Sequence, residues 1–359
     1  RHRAGLLMRK VLAICAMLLA IPASAQEESP GLFDRIFGGS VESEDQGSFL
    51  ERLIEDNLSG NDRTVSITGF QGALSGRATI ESLTISDPDG IWFTMSDAVL
   101  DWNRAALLSG RLEVAELSAV SIALPRLPTP AEGEEPTPEA SGFSLPELPV
   151  SVEIGKIAAE SVELGQPVIG AEALVSVAGS LSLIDGDGAA DLSIEKLDAP
   201  GGLTLDASYS NTSQILALTL DVSEGADGII ANLVDLPGRP AVDFRIEGDA
   251  PLSDFVAEIA LATDGQDRLA GTVATAQSDD GVFRTRVDIS GDLAPVFAPA
   301  YQPFFGPEVS LRAAITSRPD GSTALDDLTL QAAALAPDGR AVIAQGQPQE
   351  IDIAGQIAS

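Results

Sequence analysis

Short runs in which apolar and polar residues alternate, separated by Asp-Gly pairs, are the feature that most constrains this chain. Examples are residues 216–220 and 242–246, and Asp-Gly occurs eight times, three of them as Pro-Asp-Gly at 88–90, 319–321 and 337–339. A period of two places alternate side chains on opposite faces of a β-strand. Asp-Gly tolerates the positive φ angles of tight hairpin turns. The sequence therefore predicts a mainly β fold of repetitive antiparallel strands from residue 64 onward.

A loose repeat interrupts this alternation. Residues 80–85, 112–117 and 325–330 each hold an apolar residue, two or more spacers, and then an alternating apolar pair. The odd spacing inside a strand of period two predicts a β-bulge that bends the sheet. Pairing between successive units then predicts an elongated, curved object rather than one compact globule.

One face of such a strand array is aliphatic and needs to be covered, because apolar areas of this size are rarely left exposed. The sheet can fold over itself as a sandwich, or it can form a trough whose apolar groove is open to an apolar ligand. The residues alone do not decide between the two. We select as candidates for the lining of the groove or core Ile80, Leu83, Ile85, Val114, Leu117, Leu181 and Leu183.

Charge and residue counts exclude several classes of function. The chain of 359 residues carries a net charge of -33, which opposes binding to nucleic acid. His2 is the only histidine and Cys15 the only cysteine, so a Cys/His zinc site cannot be assembled. Because His2 lies in an N-terminal segment that we expect to be removed, the mature chain has no histidine for a Ser-His-Asp triad. We expect neither an enzyme nor a cofactor.

The first 25 residues are typical of a secretory signal. Arg9 and Lys10 precede an apolar run at 11–21, and Ala23 and Ala25 form an A-x-A cleavage site before Gln26. The run is shorter than the roughly 20 residues that span a bilayer. The alternative is an uncleaved anchor in the inner membrane. Cleavage leaves 17 basic residues against 54 acidic ones, with no histidine and no cysteine.

The remaining chain divides by composition. Residues 26–47 are acidic and predict a flexible tether, and residues 48–124 hold a short N-terminal helix followed by the first β-repeat unit. A capping box at 48–51 begins that helix, which either closes the end of a β core or lies on a membrane surface. Residues 125–149 include seven prolines and form a linker or long loop. Residues 150–359 continue the β-repeat, which we expect to be truncated at its C-terminus.

A few carboxylates are candidates for metal binding or catalysis. Residues 185–191 hold three aspartates that could bind Ca²⁺, but they lack the spacing of an EF-hand, and a hairpin turn is the simpler interpretation. Asp326 and Asp327 are paired as in a glycosidase, yet such pairs arise by chance among 54 acidic residues. Lys156 and Lys196, the two lysines outside the signal, stand in no nucleophile motif.

Several segments resemble the TamB proteins of alphaproteobacteria, within the AsmA-like group. The helix FLERLIEDNLSG at 49–60, the strand at 65–70, and the segments at 77–85 and 99–114 carry the likeness, and residues 291–306 are similar to a further family segment. The resemblance covers essentially residues 48–359 and is distinctive at 49–117.

This resemblance implies a β-trough that spans the periplasm, with an apolar inner groove and an anchor at the inner membrane. It implies a role in outer-membrane biogenesis with an Omp85-type outer-membrane partner, TamA, which the family contacts through a C-terminal region that this sequence lacks. The family is tied both to phospholipid transport and to protein secretion, namely assembly of autotransporters. The expected partners are therefore phospholipid, TamA and the inner membrane, and the expected location is the periplasm of the cell envelope.

Overall fold

A computed structural model describes residues 63–72, 76–107, 109–129, 151–278, 280–318, 320, 322–344 and 347–357. These residues form 17 strands and four helices of four or five residues. The strands are β1 Thr64–Thr68, β2 Arg77–Asp87, β3 Gly90–Asn103, β4 Arg111–Leu124, β5 Ser151–Leu164, β6 Ala173–Ile184, β7 Asp187–Lys196, β8 Gly201–Ser210, β9 Ile215–Glu224, β10 Val242–Pro251, β11 Phe255–Thr263, β12 Gln266–Gln277, β13 Phe283–Gly291, β14 Val309–Ser317, β15 Thr323–Gln331, β16 Leu335–Ala344 and β17 Gln347–Ile357. The helices are α1 Arg104–Leu107, α2 Gln166–Ile169, α3 Ile229–Leu233 and α4 Gln302–Phe305.

All 17 strands belong to one sheet, in which each strand pairs with the next one along the chain. The sheet is open, and the described residues form no second layer of strands. The mainly β, curved trough is therefore confirmed, and the sandwich alternative is wrong for the part of the chain that the structure describes.

The prediction that all strands pair antiparallel is wrong at one place, because β4 and β5 are parallel. Arg111 lies beside Ser151 and Leu124 beside Leu164, so both strands end at the same edge of the sheet. Parallel neighbours need a crossover of a dozen residues or more. Residues 125–150, which contain the whole proline-rich segment, supply that length.

The strand ends lie along two opposite borders of the sheet, and the connections differ between these borders. We call the border at which β4 and β5 end the top edge, and the opposite border the bottom edge. Because the other strands alternate in direction, α2, α3 and α4 all lie in top-edge connections, whereas α1 lies at the bottom edge. Most other connections at the bottom edge are short.

Three of the predicted bulges are present. Asp326 has no opposite residue on β14, and Ala115 has none on β3. In β2, Glu81 and the facing Asp97 drop out of the pairing, and Asp97 has a positive φ of 50°. Each bulge absorbs one residue of the odd spacing, so the apolar residues on both sides of it stay on the same face of the sheet.

The Asp-Gly pairs do not all form turns. Asp185 and Gly186 connect β6 to β7 with φ angles of 51° and 82°, as a type I′ hairpin requires, which confirms the turn interpretation. Asp338 and Gly339, in contrast, lie inside β16, so the expected turn at 337–339 is wrong. Asp187 and its glycine likewise belong to β7. A strand can absorb such a pair where the neighbouring backbone approaches closely.

Two clusters of buried side chains lie at the top edge. One cluster consists of Ala159, Val162 and Val175, and Ile229 of α3 packs against it. A second cluster consists of Val168 and Ile169 of α2 together with Ala173. The short helices thus cover the ends of the strands rather than their middle. The predicted signal (1–25), tether (26–47) and N-terminal helix, and most of the linker, lie outside the described residues.

Candidate functional site

The register assembles one continuous aliphatic row across 13 strands, from β3 to β15. Each member faces the next in the pairing of neighbouring strands, and each is leucine, isoleucine or glycine. The row consists of Leu100, Leu117, Ile157, Gly179, Leu192, Leu205, Leu220, Ile246, Ile259, Gly271, Ile289, Leu311 and Leu330. With a strand spacing of about 4.8 Å, this central row is roughly 58 Å long.

Parallel rows extend this surface, which we call the apolar face. Ile194, Leu203, Val222, Phe244 and Leu261 form one such row from β7 to β11. The alternate residues point to the opposite face, which we call the polar face. The polar face carries cross-strand ion pairs, for example Arg245 with Asp221 at 3.0 Å and Arg312 with Asp288 at 3.1 Å.

The side chains of the central row remain partly accessible. Leu205, Leu220 and Ile246 are half-buried, and Leu117 is 40% exposed. Val242 at the top edge, by comparison, is fully buried. Half-exposed aliphatic side chains over this length form a surface that an elongated apolar molecule can cover.

Two glycines shape the central row. A Cβ atom on Gly179 would lie 2.3 Å from the carbonyl oxygen of Asp191, and one on Gly271 would lie 2.1 Å from that of Asp288. Backbones therefore approach each other at these positions more closely than any side chain allows. The glycines fix the local shape of the sheet at two points along the apolar face.

Charge enters the apolar face only near the top edge of β6–β12. In the rows that continue the face across these strands, the charged side chains are Lys196 and Glu224. Arg268, at the bulge of β12, also reaches this margin, because its Nε donates a 2.7 Å hydrogen bond to the hydroxyl of Thr263. Glu224 is 8% exposed, and its Oε2 accepts a hydrogen bond of 2.7 Å from the backbone N–H of Ile230. That bond holds α3 over the ends of the strands. The side chain of Lys196 is 11% exposed, and its Nζ lies 3.6 Å from Oδ1 of Asp198.

An arginine ties the start of the crossover to the turn between β2 and β3. Arg126 pairs with both carboxylate oxygens of Asp87 and donates a 2.6 Å hydrogen bond to the carbonyl of Gly90. The backbone N–H of Thr129 donates a further bond of 2.9 Å to Asp87. The Arg126 guanidinium, followed by the Thr129 amide, holds the pKa of Asp87 well below its ordinary value. This clamp holds residues 126–129 against the turn between β2 and β3.

A shallow cavity of about 690 Å³ crosses β7 to β12, and most of its lining residues are polar-face positions. Its polar groups already bond one another: Arg245 pairs with Asp221 and Glu247, and the Ser223 hydroxyl donates to Asp243 at 2.7 Å. The carboxylate of Glu247 is the main cause that raises the pKa of Arg245. We assign the polar-face part of this cavity to the solvated outer surface, whereas Ile194, Lys196 and Leu203, which also line it, belong to the apolar face.

The structure places all seven predicted lining residues on the apolar face. Leu117 lies in the central row, and Val114 is buried between its neighbours on β3 and β5. The others lie in adjacent rows and face these residues on the neighbouring strand: Ile80 faces Ala98, Leu83 faces Met95, Ile85 faces Phe93, Leu181 faces Ile154, and Leu183 faces Val152. Their role in binding stays a prediction. Sequence reasoning missed Lys196 as part of this surface, although its place at the end of an alternating strand would have indicated it.

Two further findings concern the part of the chain that the structure describes. Within it, no group of three or more His, Cys, Asp or Glu side chains is arranged to hold a metal ion. None of its helices is both long and apolar enough to cross a membrane.

Comparison of the chain with protein-family models, with curated proteins and with solved structures gives no match. The features of the structure that bear on function are therefore the apolar face and its charged margin.

Proposed function

We propose that this protein is a non-enzymatic carrier that binds the acyl chains of phospholipids along its apolar face and moves them between the inner and outer membranes. The observation that carries the proposal is the central row, an aliphatic surface roughly 58 Å long whose side chains are half-buried. Leucine, isoleucine and glycine offer acyl chains contact without polar groups that would lose their hydration.

The energetics of such a surface suit transport. Each methylene group removed from water contributes about 0.8 kcal/mol. Association costs about 4–15 kcal/mol, which burial of about 5–19 methylene groups offsets. The number of methylene groups that the apolar face covers therefore sets how readily a lipid binds and leaves. A row of equivalent sites also allows stepwise movement along the trough, because each step exchanges one aliphatic neighbour for another.

The resemblance to TamB proteins supports the cellular setting that we propose. We place the protein in the periplasm, associated with the inner membrane, and we propose an Omp85-type outer-membrane protein as its partner. The signal-like segment at 1–25 supports export from the cytoplasm.

The alternative function, assembly of autotransporters and other outer-membrane proteins, relies on different chemistry. A polypeptide client adds to a sheet through backbone hydrogen bonds at an edge strand, whereas a lipid needs the apolar face. The two functions can therefore be separated by asking which side chains contact the client.

A pair of adjacent positions on β8 provides this test. Leu205 lies in the central row, and the next residue, Asp206, is exposed on the polar face. A photo-crosslinking amino acid is placed at either position, and the protein is incubated with phosphatidylethanolamine vesicles and irradiated. Mass spectrometry then measures lipid adducts.

We expect adducts at position 205 and few at position 206. Equal labelling at both positions would show that lipid contact does not depend on the apolar face. An absence of adducts at position 205, together with cross-links to an unfolded outer-membrane polypeptide, would favour the assembly function.

A further inference from the structure

A nearly buried lysine stands at the margin of the apolar face. Lys196 is the last residue of β7, and the register places it opposite Val175, a member of the buried cluster at the top edge. Its side chain is 11% exposed. A lysine in such surroundings usually has its charge well paired, because an unpaired buried charge is strongly unfavourable.

The pairing of this ammonium group is weak. Its ion pair is with Asp198, at a distance of 3.6 Å, whereas charge-assisted hydrogen bonds are usually about 2.7–2.9 Å long. Asp198 itself is 41% exposed, and its other oxygen accepts a bond from the backbone N–H of Leu174 at 3.4 Å. An ammonium group has three donors, so Lys196 can accommodate further acceptors.

The neighbourhood of Lys196 has an amphipathic layout. Ile194 lies two residues earlier on the same face, about 7 Å along the strand, and Leu203 faces it on β8. The row that begins there continues through Val222 and Phe244. A cation thus stands at the top edge, directly beside the start of an apolar surface.

We propose that Lys196 binds the phosphate of a phospholipid headgroup, with the acyl chains on the rows that begin at Ile194 and Leu203. This inference rests on the proposed function and specifies its substrate. The exposed carboxylate of Asp198 beside the ammonium group pairs with a cationic amine on the same headgroup. The strongly acidic chain, with its net charge of -33, further disfavours lipids of net negative charge. The preferred ligand is therefore a zwitterionic aminophospholipid.

The chain offers a matched control. Lys156 is the other lysine outside the signal segment, and it lies on the polar face with its side chain 58% exposed and its Nζ 2.8 Å from Glu116. Lys156→Gln removes the same charge from the protein as Lys196→Gln, but away from the apolar face. Lys196→Arg keeps a cation at the site and serves as the conservative variant.

The test compares two ligands with identical short acyl chains, a phosphatidylethanolamine and a diacylglycerol, the second of which lacks the phosphate. Dissociation constants are measured for the whole chain and the three variants by isothermal titration calorimetry. We expect Lys196→Gln to weaken phosphatidylethanolamine binding about ten- to a hundredfold, the range of one charged hydrogen bond. We expect diacylglycerol binding to change less than about twofold on the same scale. Lys196→Arg and Lys156→Gln should bind both ligands nearly as the unmodified chain does.

Different failures point to different errors. If the unmodified chain binds neither ligand, the proposed function is wrong. If it binds both, and Lys196→Gln leaves both affinities unchanged or lowers both equally, acyl binding stands but the headgroup site is wrong. Binding of inorganic phosphate alone, as tight as that of the phospholipid, would identify a free-phosphate site and overturn the inference.

Discussion

A carboxylate placed in the central row should prevent acyl binding while leaving the sheet folded. Leu117 is suited to this change because it lies in the row and is 40% exposed. Ile184 is a matched control, since it is also 40% exposed but points to the polar face of β6. The two variants are Leu117→Asp and Ile184→Asp.

The magnitudes follow from exposure. Full burial of a leucine or isoleucine side chain stabilises a fold by about 1.5–3 kcal/mol. With 40% of each side chain exposed, either substitution should lower the free energy of unfolding by about 1–2 kcal/mol. In the lipid-bound state, Leu117→Asp also forces an ionised carboxylate against an acyl chain, and the lost hydration costs roughly several kcal/mol. Since about 1.4 kcal/mol corresponds to a tenfold change in affinity, the affinity for lipid should fall more than about tenfold.

Urea unfolding measures the two stabilities, and native mass spectrometry measures how many phospholipids each chain retains. We expect similar unfolding free energies for the two variants, with lipid lost from Leu117→Asp alone. Equal lipid retention by both variants would refute the assignment of the apolar face. Equal loss from both would mean that the effect comes from destabilisation rather than from the face.

Three further predictions concern the framework. Arg126→Gln should lower the melting temperature at neutral pH, because Arg126 holds the pKa of Asp87 below its ordinary 3.8 in the folded chain. The difference in melting temperature from the unmodified chain should shrink as the pH falls below 3.8, where Asp87 begins to lose its charge in the unfolded chain. Calorimetry at several pH values measures this difference. Gly179→Val should cost about 1–3 kcal/mol of unfolding free energy in urea, because its Cβ would meet a carbonyl of the next strand. Glu224→Ala should cost about 1–3 kcal/mol by leaving a backbone N–H of α3 without its acceptor, whereas Glu224→Gln should cost less.

Much of the fold follows from local pattern. Alternation fixed which side chains share a face, and the odd spacing at Leu325 and Leu328 indicated the bulge at Asp326. The Asp-Gly pair at 185–186 behaves as its backbone preferences predict. These features depend on neighbours in sequence, which a reader of the sequence can see.

Features that depend on neighbouring strands were not predictable in the same way. Asp338 and Gly339 have the residues of a turn, but a Cβ on Gly339 would lie 2.4 Å from the carbonyl of Asp352, so close approach of β17 explains this glycine. The parallel pairing of β4 with β5 depends on where a long connection returns, which residues 125–150 do not specify. The position of Lys196 on the apolar face emerges only from the register, which pairs it with Val175.

The central claim is that the apolar face carries phospholipid acyl chains. Its most direct test is quantitative lipid mass spectrometry of the folded protein, purified without detergent from the cell envelope. The account predicts phospholipid in at least stoichiometric amounts, with aminophospholipids enriched over anionic ones. A lipid content near zero in a preparation with intact β-structure would contradict it.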